Sequence, residues 1–387
     1  MKDRLAFTRK EIFYYIALLL FFSTHLFNLT IVVKESNLGS AFKYIRLISY
    51  IIFAGIIIAS EIKNKILSGI ILVLGLAGIV AFKASDNTLI YIAVIFFAGW
   101  CSTSRRNLKA IAIIQAVTIM IGVITCLTGV VENQIFMDNM RRRYMLGFTW
   151  VTTLPILFLY MSFSYIILRR EKITFIEILC ILGIHITLYI FTDTRMCFLI
   201  GVLSVLFTII NRYGKNNIDR INRKFRKMTP AVPIILAVMS VLLAVFYNEG
   251  NRIWEVINKL LSNRLYYGQL GIRKYGITVF GQPIVWIGYS FEEMKGVYNY
   301  VDCSYIQILL SYGIVFLMFV LGIYTKILLF AKKNNDSWIT MIVVLTLIFS
   351  ITEPRLWNLT FNPLPFLLID AVKDRNSFST QEVVSNV

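Results

Sequence analysis

Stretches of about 15 to 25 predominantly apolar residues return along the whole chain, near 12–33, 44–60, 66–82, 88–103, 110–131, 144–168, 173–191, 196–211, 231–247, 303–330, 338–352 and 356–372. A run of about 20 such residues matches the thickness of a bilayer's hydrocarbon core. In hydrocarbon the backbone must satisfy its own hydrogen bonds, so each run is expected to be a helix. The chain therefore reads as an all-α, polytopic membrane protein of about twelve transmembrane helices, one integral membrane domain over 1–387. Composition supports this, because 58% of the residues are hydrophobic and only 16% are charged. A soluble domain needs roughly a quarter charged. The first run is longer than a signal-peptide core and no A-x-A site follows it, so it is expected to remain as the first span.

The formal charge of +18 would suggest nucleic acid in a soluble protein. In a polytopic membrane protein it follows instead from the accumulation of Lys and Arg in cytoplasmic connections, and nucleic acid is not an expected partner. With the N-terminus inside, 24 of the 39 basic residues fall in inward segments, seven of them between Arg212 and Lys227. Both termini are thus expected in the cytoplasm. The 212–227 run could also grip anionic headgroups. The last run is interrupted by Asn358, Asn362, Pro363 and Pro365, so a broken or re-entrant helix is an alternative there. Cys101, Cys126, Cys180, Cys197 and Cys303 form no metal or disulfide spacing.

One connection differs from the rest. Residues 248–302 make a 55-residue outward segment, whereas simple helix connectors take a handful of residues. This large extracytoplasmic loop is rich in Tyr, Trp and Arg and has amphipathic stretches suited to the outer interface. It is where function is expected.

Arginines on the outward side run against the charge trend and are candidate phosphate ligands, since a guanidinium holds a permanent charge and a forked donor set. They are Arg195 in FTDTRMCF, Arg264 and Arg273 in NRLYYGQLGIRKYG, and Arg355 in TEPRLWN. For Arg195 the alternative is a local pair with Asp193 or snorkelling. The run Arg141, Arg142, Arg143 reads either as a lipid-phosphate site or as a sign that its connection faces inward. Asp302, at the boundary of the tenth span, can cap that helix, and partial desolvation there would also make it a proton acceptor. Glu292 and Glu293 read as a solvated loop pair, and His25 and His185 as packed residues within spans. No DxD, P-loop, GxGxxG, HExxH or GxSxG pattern occurs.

With those residues in view, the chain resembles the Wzy-type polysaccharide polymerases, the O-antigen and capsule repeat-unit polymerases that share a superfamily with the O-antigen ligases. The resemblance lies in the layout and in SNRLYYGQLGIRKYG (262–276), FGQPIVWIGYS (280–290) and VDCSYIQILLSYGIVF (301–316). It maps the family's loop arginine to Arg264, its turn to Gly281 and Gly288, and its span start to Asp302, Tyr305 and Gly313. Thr-Asp-Thr-Arg at 192–195 would make Arg195 a second family arginine. Cys303 stands where Asn is common, and Asp302 where the ligases tend to carry His, which favours polymerase over ligase.

The resemblance implies a glycosyltransferase of the bacterial plasma (inner) membrane. It would need no metal or other cofactor and would join polyprenyl-diphosphate-linked oligosaccharide repeat units at the outer face. The expected catalytic residues are Arg195, Arg264 and Asp302, with Arg273, Tyr305, Arg355 and Gly288 binding substrate. Implied partners are the lipid-linked oligosaccharide, membrane lipids, a chain-length regulator and a flippase. The competing readings are a ligase-type glycan transferase and a lipid-linked oligosaccharide flippase; transporters usually show repeated halves around a midplane site, and no repeat is found here.

Overall fold

A computed structural model describes residues 8–36, 38–60, 64–138, 141–214, 228–288 and 298–378. It is mostly helical. Among the described residues the helices are α1 (Arg9–Phe27), α2 (Ile31–Glu35), α3 (Gly39–Ile58), α4 (Asn64–Ala84), α5 (Thr88–Ala98), α6 (Ser104–Leu127), α7 (Thr153–Arg169), α8 (Phe175–Thr192), α9 (Arg195–Tyr213), α10 (Val232–Val245), α11 (Arg252–Leu260), α12 (Arg264–Tyr275), α13 (Ser304–Lys333), α14 (Ser337–Phe349) and α15 (Leu368–Lys373). Six of them, α1, α3, α6, α8, α9 and α13, are long and apolar enough to cross a membrane. Shorter apolar helices cover 71–84, 88–101, 229–245 and 337–349.

The distribution of apolar surface is that of a protein dissolved in lipid. Ile58, Phe82 and Leu127 are each more than three-quarters exposed, and large apolar side chains line the outside of α3, α8, α9 and α10. In water such area would aggregate. Inside, α7 and α14 are buried on nearly every side and form the core with α13. Polar caps mark where helices begin. Thr8 with Glu11 and Thr174 with Glu177 are capping boxes, which satisfy two otherwise orphaned backbone donors at each start. Asp336 caps α14 by accepting from Ile339 N at 3.0 Å and also pairs with Arg170 at 2.6 Å.

Three segments depart from the sequence expectation. The first apolar run breaks after Phe27 and resumes as the short α2. Between α6 and α7 the chain forms an antiparallel hairpin, β1 (Ile135–Asp138) with β2 (Arg141–Tyr144), pairing Phe136 with Arg143. The last apolar run is not one helix: it turns irregularly through 350–363, makes a 3-10 turn at Leu364–Leu367 and ends in α15. Pro363 and Pro365 lack the donor a helix needs. Buried Asn362 replaces the missing ladder by donating to Leu356 O and to the Tyr324 hydroxyl, both at 2.8 Å.

The segment between α10 and α13 is folded back on the helices. α12 packs on α10 and α13 through glycines: a Cβ at Gly268 would meet Ile306 and Ala244, and one at Gly271 would meet Leu310 and Val301. Beyond α12 the backbone is extended and reaches a break in α13 at Gly313, where φ is 84° and ψ 176°. The break frees donors and acceptors, and the strap takes them. Ile314 N donates to Thr278 O (3.0 Å), Val315 N to Val279 O (3.1 Å), and Gln282 N to Ser311 O (3.1 Å). Left-handed backbone at Gly281 and Gly313 lets the two strands touch, because a Cβ on either would penetrate the other's backbone.

Candidate functional site

The strap, the start of α13 and the irregular 350–363 segment converge on one charged cluster. Ser304 makes the junction. Its backbone N–H donates to Ser350 O (2.9 Å), its hydroxyl donates to Glu353 O (2.5 Å), and that hydroxyl accepts from Leu356 N (3.0 Å). These bonds hold Asp302, two residues earlier, beside Glu353 and Arg355.

Arg264 enters from the first position of α12. The preceding residues Ser262 and Asn263 are left-handed, so Asn263 cannot cap the helix, and Asn258 of α11 accepts from Leu265 N (3.1 Å) and Tyr266 N (3.2 Å) instead. With its helix start pinned, Arg264 donates through Nε to Thr352 O (2.9 Å) and through Nη1 to Leu261 O (3.0 Å). Its Nη2 lies 3.9 Å from Asp302 Oδ2. Arg355 forms an ion pair with Glu353, and its guanidinium sits 4.4 Å above the Phe361 ring. The buried Cys197 thiol, near the start of α9, feels the charges of Glu353, Arg355, Arg264 and Arg143. Arg143 comes from β2 and donates to Thr192 O at 2.9 Å.

Two guanidinium groups, those of Arg264 and Arg355, thus stand with two carboxylates, those of Asp302 and Glu353. Burial pushes the Asp302 carboxyl above its ordinary range, with Arg264 and Arg355 pulling it part of the way back. Glu353 is raised too, by burial first and by the neighbouring Asp302, against Arg355. The chemical capacity of such a cluster is twofold. Fixed arginines receive an anion, and a carboxylate of raised affinity for protons accepts one.

Not every expected residue is here. The structure brings together Arg264, Asp302 and Arg355. Arg195, the first residue of α9, is 69% exposed and lies 3.5 Å from Asp193, the local pairing given as its alternative. Asp193 also accepts from Arg141 Nε at 2.5 Å, so it is bridged by two arginines. Arg273 is exposed in the last turn of α12. Tyr305 is in the core, its hydroxyl donating to Leu347 O at 2.8 Å, which makes it a packing residue in this structure. Gly288 lies against the Tyr300 ring, and Trp286 nearby donates to the Ser311 hydroxyl at 3.0 Å. Glu292 and Glu293, and the basic run beyond Gly214, lie outside the described residues. His25 and His185 are packed against Phe21 and Phe158.

One participant was missed. Glu353 stands two residues before Arg355 and could have been found by asking what neutralises an arginine in so apolar a setting. Arg143 belongs to the arginine run read as a lipid-phosphate site, and the hairpin carries it to Thr192 at the end of α8. Among the described residues no group of three or more His, Cys, Asp and Glu side chains could hold a metal ion. Comparisons of the chain with protein-family models, with curated proteins and with solved structures yield no match, so the functional reading rests on the chain's own residues.

Proposed function

We propose that the protein is a glycan transferase of the Wzy polymerase type, which joins polyprenyl-diphosphate-linked repeat units at the outer face of a bacterial plasma membrane. In this reading the chain crosses about twelve times, the last crossing being broken, with both termini cytoplasmic and the segment between α10 and α13 outside. The observation that carries the reading is the convergence of Arg264, Asp302 and the Glu353–Arg355 pair from three separate parts of the chain.

The donor's diphosphate lies against Arg264 and Arg355. The acceptor hydroxyl oxygen attacks the anomeric carbon of the donor sugar as the bond from that carbon to the phosphate oxygen breaks. The electron pair leaves with the polyprenyl diphosphate, and preorganised guanidinium groups stabilise the charge that develops there. The hydroxyl proton passes to Asp302, whose carboxylate is partly desolvated yet one-third exposed, and so open to a substrate. Glu353 holds Arg355 in place. A transporter would not need a base at this point, and the mixed cluster therefore favours group transfer over flipping.

The test is turnover of purified lipid-linked repeat unit by the protein in liposomes. A ladder of extended glycan on lipid is expected. Transfer only to a separate lipid acceptor would identify a ligase, and movement of intact substrate across the bilayer without new bonds would overturn the proposal.

A further inference from the structure

α11 has three faces. Ile253, Val256 and Leu260 project an apolar face that is 70%, 53% and 75% exposed. Arg252, Glu255 and Lys259 form an exposed polar face, and Trp254 and Asn258 turn inward, Trp254 against the Tyr247 ring and Asn258 onto α12. A surface helix of a water-soluble protein buries its apolar face. Here the buried side is polar and aromatic while the apolar side has no protein cover among the described residues.

What covers it can be argued from the surroundings. α11 follows α10 after a six-residue turn, and α10 presents Ile235, Val238, Leu242 and Val245 outward, with Phe246 exposed just past its end. α11 thus exposes apolar side chains six residues beyond the end of a helix that does the same. A nine-residue helix is only about 14 Å long, and three side chains offer far less than the roughly 800 Å² per partner that a stable dimer buries. Arg252 and Lys259 stand on the polar face, where headgroup phosphates would meet them.

We infer that α11 is a membrane-surface helix whose Ile253, Val256 and Leu260 enter the acyl boundary of the leaflet next to the charged cluster. Through Asn258, which caps α12, it fixes the start of that helix, and so Arg264, to the lipid surface. The ligand is the bilayer itself. Arg264 is thereby set at the height where a lipid-borne phosphate travels, a consequence that rests on the proposed function, whereas the seating does not.

The experiment uses the full chain with its five native cysteines replaced and single nitroxide-labelled cysteines at 253, 255, 256, 259 or 260, in vesicles of phosphatidylethanolamine and phosphatidylglycerol. Labels at 253, 256 and 260 are expected to collide with oxygen several-fold more, and with a water-soluble nickel chelate several-fold less, than labels at 255 and 259. Ile253→Glu with Leu260→Glu should make a label at 256 accessible to nickel. Equal nickel access at 255 and 256 in the parent would overturn the inference. So would dipolar broadening at 256 that disappears on dilution with unlabelled protein, because a second copy would then be the cover. None of these readouts involves glycan turnover, so failure here and failure of the proposed reaction are separate results.

Discussion

Asp302 carries the sharpest demands at the scale of single residues. As proton acceptor it must be ionised, and burial lifts its titration above the usual carboxylate range. Turnover should therefore fall on the acid side at a pH above that range. Asp302→Asn should remove nearly all turnover, because an amide does not take the proton, while Asp302→Glu keeps part of it. The stability effect has the opposite sign. A raised native pKa means that the fold prefers the protonated form, so its stabilisation is complete below the unfolded pKa and is lost as pH rises through the native one. At pH 7 Asp302→Asn should leave Tm unlowered, which a thermal melt in detergent checks alongside activity. Cys303, not Asp302, holds the N-cap position of α13, with no side-chain cap bond, so a fall in Tm with activity intact would make Asp302 a structural partner of Arg264 and nothing more.

The Arg355 and Glu353 pair behaves differently because both side chains are mostly buried, 19% and 10% exposed. Arg355→Ala strands a buried carboxylate and should cost about 3 kcal/mol of stability, whereas adding Glu353→Ala should recover much of that without restoring turnover. A double-mutant cycle with melts and turnover in parallel reads both. Arg195 is the contrast: its exposed pair with Asp193 is the kind that contributes little to stability. Arg195→Ala is expected to lower turnover less than Arg264→Ala, and Arg264→Lys should recover only part, since Lys keeps the charge without the fork. Equal losses for Arg195→Ala and Arg264→Ala would extend the site to the Asp193 pair.

At the scale of elements, the break in α13 and the strap that fills it are one unit. Gly313→Ala must place a side chain at φ 84° and inside the backbone of Val279 and Gly281, which should cost at least about 3 kcal/mol. Gly322, in the same helix, has open space around its absent Cβ, so Gly322→Ala should stabilise by about 0.5 to 1 kcal/mol. Melts of the two variants side by side separate strain from a general sensitivity of α13. The same unit marks how far the sequence could be read. A helix starting near residue 303 was visible as an apolar run behind Asp302, and Gly313 stood out as a motif position. That Gly313 breaks the helix was not visible, because the cause is a strap more than thirty residues earlier in the chain. Likewise Arg264, Asp302 and Arg355 were legible as charges where lipid disfavours them. The hairpin that carries Arg143 to Thr192, 49 residues away, was not, because a four-residue strand in an arginine run has no periodicity to betray it. Tyr305 was legible as a motif position but not as a core residue, since only packing against α14 distinguishes the two.

The whole molecule has its apolar surface outside and its charges at the helix ends, and the remaining question at that scale is which end faces the cytoplasm. The proposal answers it through charge: with the N-terminus inside, 24 of the 39 basic residues fall in inward segments, and Lys and Arg resist translocation. Arg264 and Arg355 then sit outside against that trend, which is the pattern expected when cations are retained to meet an anionic substrate. A cysteine placed at Gly250, between α10 and α11, should react with a membrane-impermeant thiol reagent in spheroplasts, and one at Tyr213, at the end of α9, should react only after lysis. Positions 296 and 217 would report the same two sides but lie outside the described residues. Labelling reversed at both sites would put the cluster in the cytoplasm, where nucleotide sugars are available and a lipid diphosphate is no longer the only donor. Asp302 and the arginines would keep their geometry, but the reaction proposed for them would have to change, so this measurement ranks ahead of any mutation in the cluster.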